Sequence, residues 1–302
     1  MSAVNTGNIA KLLWPGLNAI WGEYKDHPLE YKDLFDTYTS DKQYEEDQLI
    51  RGLGLAPRKP EGSATVYDST AQGITSRYTH VAYSLGFMIT REAMADNQYK
   101  GKALKAMRML ARSFRQTKET VAANVYNRAH DTNYTFGDGK ALCVTDHATY
   151  SGNQSNRLTT AADFSESALE DLCVQISNAV DEAGLKIALQ PQKLLIPTAL
   201  QFEAARVLKS VGQNDTANNA INALRSMGVF SEGPKINHYF DDPDAFFVKT
   251  DAVDGMKHFE RDAPEFVQDN DFDTSNLKYK GYERNSFGNT DFRGVFSNGG
   301  GA

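Results

Sequence analysis

Cysteine is scarce in this 302-residue chain: Cys143 and Cys173 are the only two, and no CxxC spacing accompanies them. A disulfide framework and a structural zinc site both need more ligands than that, so the two read as reduced, buried thiols. Long apolar runs are missing as well. Nothing approaches the roughly 20 consecutive apolar residues of a membrane span, and the first eleven residues lack the basic start and apolar block of a secretory leader. The expectation is a soluble, unexported protein with no membrane partner. Positive charge is also short, with 32 Lys and Arg against 39 Asp and Glu, a net charge of -7. Dedicated nucleic-acid binders carry an excess of cations to displace counterions from phosphate, so any contact with DNA must be local. Catalytic signatures are absent too: there is no GxGxxG, P-loop, GxSxG or HExxH. The six histidines are scattered at positions 27, 80, 130, 147, 238 and 258. Neither an enzyme nor a cofactor is expected.

What is present suits a large folded unit. With 40% hydrophobic and 24% charged residues, the chain can bury one large core or two modest ones that share elements. Residues 6–24 place Ile9, Leu12, Leu13, Leu17, Ile20, Trp21 and Tyr24 at helical spacing, with Pro15 a kink or restart. Residues 25–47 mix charge with Tyr31, Phe35, Tyr38 and Tyr44, which suits an arm lying on a neighbouring surface. A breaker cluster at Gly52, Gly54, Pro57, Pro60 and Gly62 precedes two strand-like runs, 64–67 and 79–89, joined through Ser69, Thr70, Gln72 and Gly73. They read as a long hairpin, which needs a partner surface to be ordered.

Residues 102–130 form the clearest helix, free of Pro and Gly, roughly 40 Å long at 1.5 Å per residue. One stripe carries Leu104, Met107, Leu110, Ala111, Phe114, Val121 and Val125. Away from it, Lys102, Lys105, Arg108, Arg112, Arg115 and Lys118 recur every three or four residues as a basic ridge. An ordinary solvated face accounts for such a ridge; its single sign on an acidic chain points instead to polyphosphate. A helix opened by Ser167 with Glu170 in capping-box spacing should run to Gly184. A strand at 193–196, helices at 198–208 and 216–227, and strands at 236–240, 245–250, 258–267, 277–284 and 291–296 follow. With no βαβα alternation, the fold class is α+β.

Two local patterns hint at chemistry. Asp146 and His147 adjoin in a polar loop, and a soluble hydrolase would recruit them with Ser151 or Ser155; the plainer reading is turn or interface hydrogen bonding. Asp269, Asp271 and Asp273 alternate as in a calcium loop, but Thr274 and Lys280 replace its glycine and its bidentate glutamate. A solvated acidic loop is the better account, and no metal site is expected.

The element order, together with LLWPGLNAIWGEYKDHPLEYKDL at 12–34, GDGKALCVTDHATYSGNQSNRL at 137–158, QKLLIPTALQFEAARVL at 192–208 and the closing FRGVF of 246–296, resembles the major capsid protein of tailed bacteriophages. These stretches look like those of the family related to Mu-like major head subunits, and being structural they mark the fold family more firmly than the lineage. The fold implied is the Hong Kong 97-like capsid fold, which encapsulin compartments share. By that resemblance, residues 1–57 are an N-terminal arm, 58–95 an extended loop, 96–185 a peripheral domain with spine helix 102–130, and 186–255 an axial domain. Residues 256–284 return as peripheral strands, and 285–302 hold the last axial strand and a flexible tail. The implied function is a self-assembling shell of pentamers and hexamers around double-stranded DNA, with an encapsulin-like compartment as the alternative.

The resemblance also implies contacts and partners. Leu13, Trp14, Leu17, Trp21 and Tyr24 would be inter-subunit contacts of the arm, and Val66, Tyr67, Ile74 and Tyr78 those of the loop. The basic ridge would face packaged DNA without sequence preference. Portal and scaffolding proteins, and a cementing or decoration protein, are the other partners; with no helical region of about 100 residues ahead of the arm, the scaffold would be separate or already cleaved. Some family members weld their shells through an extended-loop lysine. No lysine lies between Lys59 and Lys100, so no such crosslink is expected.

Overall fold

The computed structural model describes residues 17–21, 29–95, 99–212, 221–271 and 274–299. In chain order the helices are α1 (residues 17–21), α2 (Tyr31–Leu34), α3 (Arg91–Ala95), α4 (Tyr99–Asn127), α5 (Glu166–Ser177), α6 (Gln201–Lys209) and α7 (Ala223–Met227). The strands are β1 (Asp36–Thr39), β2 (Tyr44–Arg51), β3 (Ala71–Thr79), β4 (Val81–Ile89), β5 (His147–Thr149), β6 (Gly152–Gln154), β7 (Pro191–Pro197), β8 (Gly233–Asn237), β9 (Phe247–Thr250), β10 (Met256–Asn270), β11 (Leu277–Asn289) and β12 (Val295–Ser297).

Two four-stranded sheets organise the chain. The first has the order β1-β10-β11-β4 and the second β12-β9-β7-β8. Helix α4 lies on the first sheet. Its apolar stripe meets the alternating inward residues of β10 and β11, so Met107, Leu110, Ala111 and Phe114 bury against Phe266, Leu277 and Tyr279. Gly281 sits under that crossing, where an added Cβ would fall 2.6 Å from the Phe114 ring. Only glycine lets the helix approach so closely.

The second sheet carries α5, α6 and α7. Leu169, Leu172 and Ile176 of α5 pack with Leu194, Ile196, Phe246, Val248 and Phe296. A third cluster welds the two sheets: Tyr31, Leu34 and Phe35 fill the gap between Ala122 and Tyr126 of α4 and Leu195, Phe247 and Val295.

Several expectations change. The hairpin is built from β2 and β3, paired from Tyr44↔Thr79 to Arg51↔Ala71. Residues 64–67 form no strand, and β4 pairs with β11 in the first sheet. The acidic run of β2 (Glu45, Glu46, Asp47) hid its alternation from a reading weighted to apolar residues. Helix α5 is capped by Ser165, whose side chain accepts the Ala168 N–H, and it ends at Ser177. It belongs to the core of the second sheet, where the sequence placed it in the peripheral part. Helix α7 is short and capped by Asn222; residues 216–220 of that expected helix lie outside the described residues.

Candidate assembly surfaces

The hairpin ends in residues 52–70, every one of them exposed and without regular structure. Leu53, Leu55, Val66 and Tyr67 are 55%, 81%, 69% and 92% exposed. Two of these, Val66 and Tyr67, were expected contacts. Ile74 is half-buried in β3 and lies beside Gly137. Tyr78 is buried in its own chain, its hydroxyl 2.6 Å from Thr290 Oγ1 and its ring edge-on to Phe259. It is therefore corrected to an internal anchor at the hairpin base. Lys59 lies in the exposed tip, so the loop carries a lysine after all.

The arm differs more. Leu13, Trp14 and Tyr24 lie outside the described residues. Leu17 and Trp21 are buried in the α4 core, with Trp21 edge-on to Phe114 and stacked on Phe266. They are corrected to intramolecular core residues, because a Trp and a Leu one helical turn apart find an apolar slot in their own chain.

Residues 29–39 act as a strap. The Glu119 carboxylate on α4 accepts the backbone N–H groups of Glu30 and Tyr31 at 2.9 and 2.8 Å, capping the start of α2 from another element. Acids three apart then bind the second sheet and its flank: Glu30 to His238, Asp33 to Lys193 and Lys235, Asp36 to Lys249. Sequence reading missed this row; its signal was the spacing Glu30, Asp33, Asp36.

Beneath the strap, His258 is fully buried, stacked on Phe287 at 4.4 Å and edge-on to Tyr31. Burial, then the Lys118 cation, pushes its pKa down to about 3. The unfolded imidazole takes up a proton near pH 6.5 and the folded one does not until about 3, so stability is lost as pH falls through that window. Glu119 opposes it: burial raises its pKa to about 7, so the fold is stabilised as pH falls through neutrality. His258→Phe keeps the stacking and removes the acid liability. The loss in melting temperature between pH 6.5 and pH 4 should be smaller in the variant than in the parent; an equal loss would refute this account.

On α4, Lys102, Lys105, Arg108 and Arg112 are exposed and form no ion pair among the described residues. Arg115 is half-buried and acts on the Glu119 carboxylate. Lys118 is 3% exposed and faces Glu283 at 3.7 Å and Glu260 at 3.9 Å, inside the protein. It is removed from the ridge. Each three-residue step falls about 60° short of a full turn, and the repeated short steps carry position 118 round to the sheet.

The candidate catalytic groups disperse. Asp146 pairs with Lys140 at 2.6 Å, while His147 Nδ1 meets Asp138 Oδ2 at 2.5 Å and its Nε2 meets Asn156 Oδ1 at 3.1 Å. Ser155 Oγ donates to the Arg157 carbonyl, and Ser151 bonds Thr149 and Gln154. Both imidazole nitrogens are engaged, with neither serine among their partners, so this is a structural clasp stacked on Phe292. Asp271 pairs with Lys278 in place of a metal, and among the described residues no cluster could hold one; Asp273 lies outside them.

Comparisons with known proteins agree with this geometry. The family described as phage capsid protein matches residues 73–298. No curated protein matches the chain. Among solved structures, that of Mycobacterium phage Che8 superposes with a TM-score of 0.54 at 12% identity, over 89% of this chain and 90% of the other. The capsid of an empty GTA particle gives 0.53 at 15% identity, over 89% and 88%. A virus-like particle from Pyrococcus furiosus gives 0.51 at 12% identity, over 93% and 97%. The fold is the α+β capsid fold, and the match does not single out the Mu-like lineage. With a family match over residues 73–298 on top of this fold and its exposed apolar hairpin tip, the chain belongs to the phage capsid protein family, as a structural component of the virion.

Proposed function

We propose that this chain is the major capsid protein of a tailed phage, assembling into the pentamers and hexamers of an icosahedral head that encloses double-stranded DNA. One observation carries the reading. The tip at residues 52–70 holds four exposed apolar side chains at the end of the two-stranded hairpin β2–β3. An isolated hairpin is marginal in water, and such a surface is kept only where another molecule covers it. A neighbouring copy is the occupant, with the first sheet and α4 as the peripheral part and the second sheet as the axial part. Portal and scaffolding proteins would be the remaining assembly partners, with a cement protein where the shell carries one. Electron microscopy of the purified chain, expressed with and without a candidate scaffold, tests this; a stable monomer under both conditions refutes it.

The four exposed cations of α4 would then line the inner wall and contact DNA phosphates. Replacing Lys102, Lys105, Arg108 and Arg112 together with glutamine removes four counterion-releasing contacts per copy. Retained DNA should fall severalfold and become more salt-sensitive, with empty-shell assembly intact; unchanged retention would contradict the role. An encapsulin-like compartment is the second reading. Genome-length DNA inside the particles decides for the phage head, and protein cargo for the compartment.

A further inference from the structure

Open strand edges invite pairing with other chains, and natural proteins shorten them or load them with charge or proline. Most edges here follow that rule. Strand β1 is four residues long and begins at Asp36, β12 has three residues, and β8 contains Pro234 and Lys235. On the hairpin, β2 carries Glu45, Glu46 and Asp47, and β3 carries Arg77. Strand β4 breaks the rule. Among the described residues it ends the first sheet and pairs only with β11, and it runs nine residues as VAYSLGFMI with no charge and no proline. Val81, Leu85 and Met88 are at least half exposed along it.

The chain also contains a strand-forming segment without a partner among the described residues. Residues 63–67 read Ser-Ala-Thr-Val-Tyr, with β-branched and aromatic side chains that favour a pleated, half-buried surface. In the folded chain they are exposed and belong to no sheet. They cannot reach the open edge of their own copy. The chain passes from β3 to β4 through His80 alone, so the tip stands a full β3 length, roughly 30 Å, from the near end of β4.

We infer that residues 63–67 of one copy add as an extra strand to the open edge of β4 in a second copy. This rests on the reading that the hairpin overlaps a neighbour, and it names the surface that receives it. Backbone hydrogen bonds supply the pairing, and Val66 and Tyr67 cover the apolar side chains of the edge. Donor and acceptor are different surfaces of the same chain, so the contact is head-to-tail and closes into a ring when the rotation between copies permits.

Hydrogen exchange on the unmodified protein tests the inference. Amides of β4 that point to the open edge should exchange freely in dissociated subunits and become protected roughly tenfold or more in closed particles. Amides of β11, paired on both sides in either state, should not change. A disulfide then locates the donor. Particles of Val66→Cys combined with Leu85→Cys should give a ladder of linked chains on a non-reducing gel, whereas each single variant should not. Val66→Cys with Val267→Cys, two strands away on β10, should give none. Closed particles whose β4 amides stay unprotected, or a ladder only with Val267→Cys, overturn this inference and leave hairpin overlap standing. Failure of the parent chain to form particles would instead overturn the overlap reading itself.

Discussion

Replacing Leu55 and Tyr67 with aspartate should abolish closed particles while leaving the subunit as stable as the parent. In their own chain the two side chains are 81% and 92% exposed, so the folded and unfolded states present them to water alike. Surface changes of that kind stay within about 0.5 kcal/mol of neutral. In an assembled shell they would be covered, and a carboxylate buried without a partner costs several kcal/mol. Since about 1.4 kcal/mol is tenfold in affinity and the contact recurs in every copy, the concentration needed for closure should rise by orders of magnitude. Sedimentation and electron microscopy report the assembly, and thermal unfolding of the subunit reports the fold. Intact particles would show that the tip is not an assembly contact.

Arg293→Ala should destabilise the subunit by about 3–5 kcal/mol, the usual cost of breaking a buried ion pair from one side. Arg293 is 2% exposed, and its guanidinium reaches Glu182 at 2.9 Å, Asp291 at 3.0 Å and Gln154 at 3.2 Å. Truncation strands two carboxylates in a place with little water. Burial already pushes the Asp291 carboxyl up, with the arginine pulling it back. The residue fastens the turn 292–294, which leads into β12, to β6 and to the loop after α5. Loosening it frees an edge of the second sheet. At this size, a loss of that order lowers the melting temperature by roughly 10 °C. Arg293→Lys should recover only part of it, because a point charge cannot match three acceptors held by a planar fork. A shift of only a degree or two in Arg293→Ala would mean that the cluster is solvated.

Such a cluster was not legible in the linear sequence: Gln154, Glu182 and Arg293 are far apart in number and have no shared pattern. Helix α4, by contrast, could be read directly, because its apolar residues return every turn and no Pro or Gly interrupts them. The strand β10 and the start of β11 were also visible, through alternating bulky residues.

The basic ridge was half legible. Spacing identified cations on the side away from the core, and four of the six are exposed. The drift of three-residue steps turned Lys118 inward to Glu283 and Glu260. The hairpin was read as present and given the wrong strands, since 64–67 has strand composition but finds no partner among the described residues.

By itself, the sequence determined the α+β class, the long helix, the absence of a catalytic or metal motif and a family resemblance, all of which depend on local periodicity or on residue type. Tertiary structure alone decided that Trp21 and Tyr78 are internal anchors, that the acids of the strap bind the second sheet, and that β4 keeps an open edge among the described residues. Periodicity reports which face of an element is apolar; which surface that face meets depends on distant residues brought together by folding, and no window along the chain contains them.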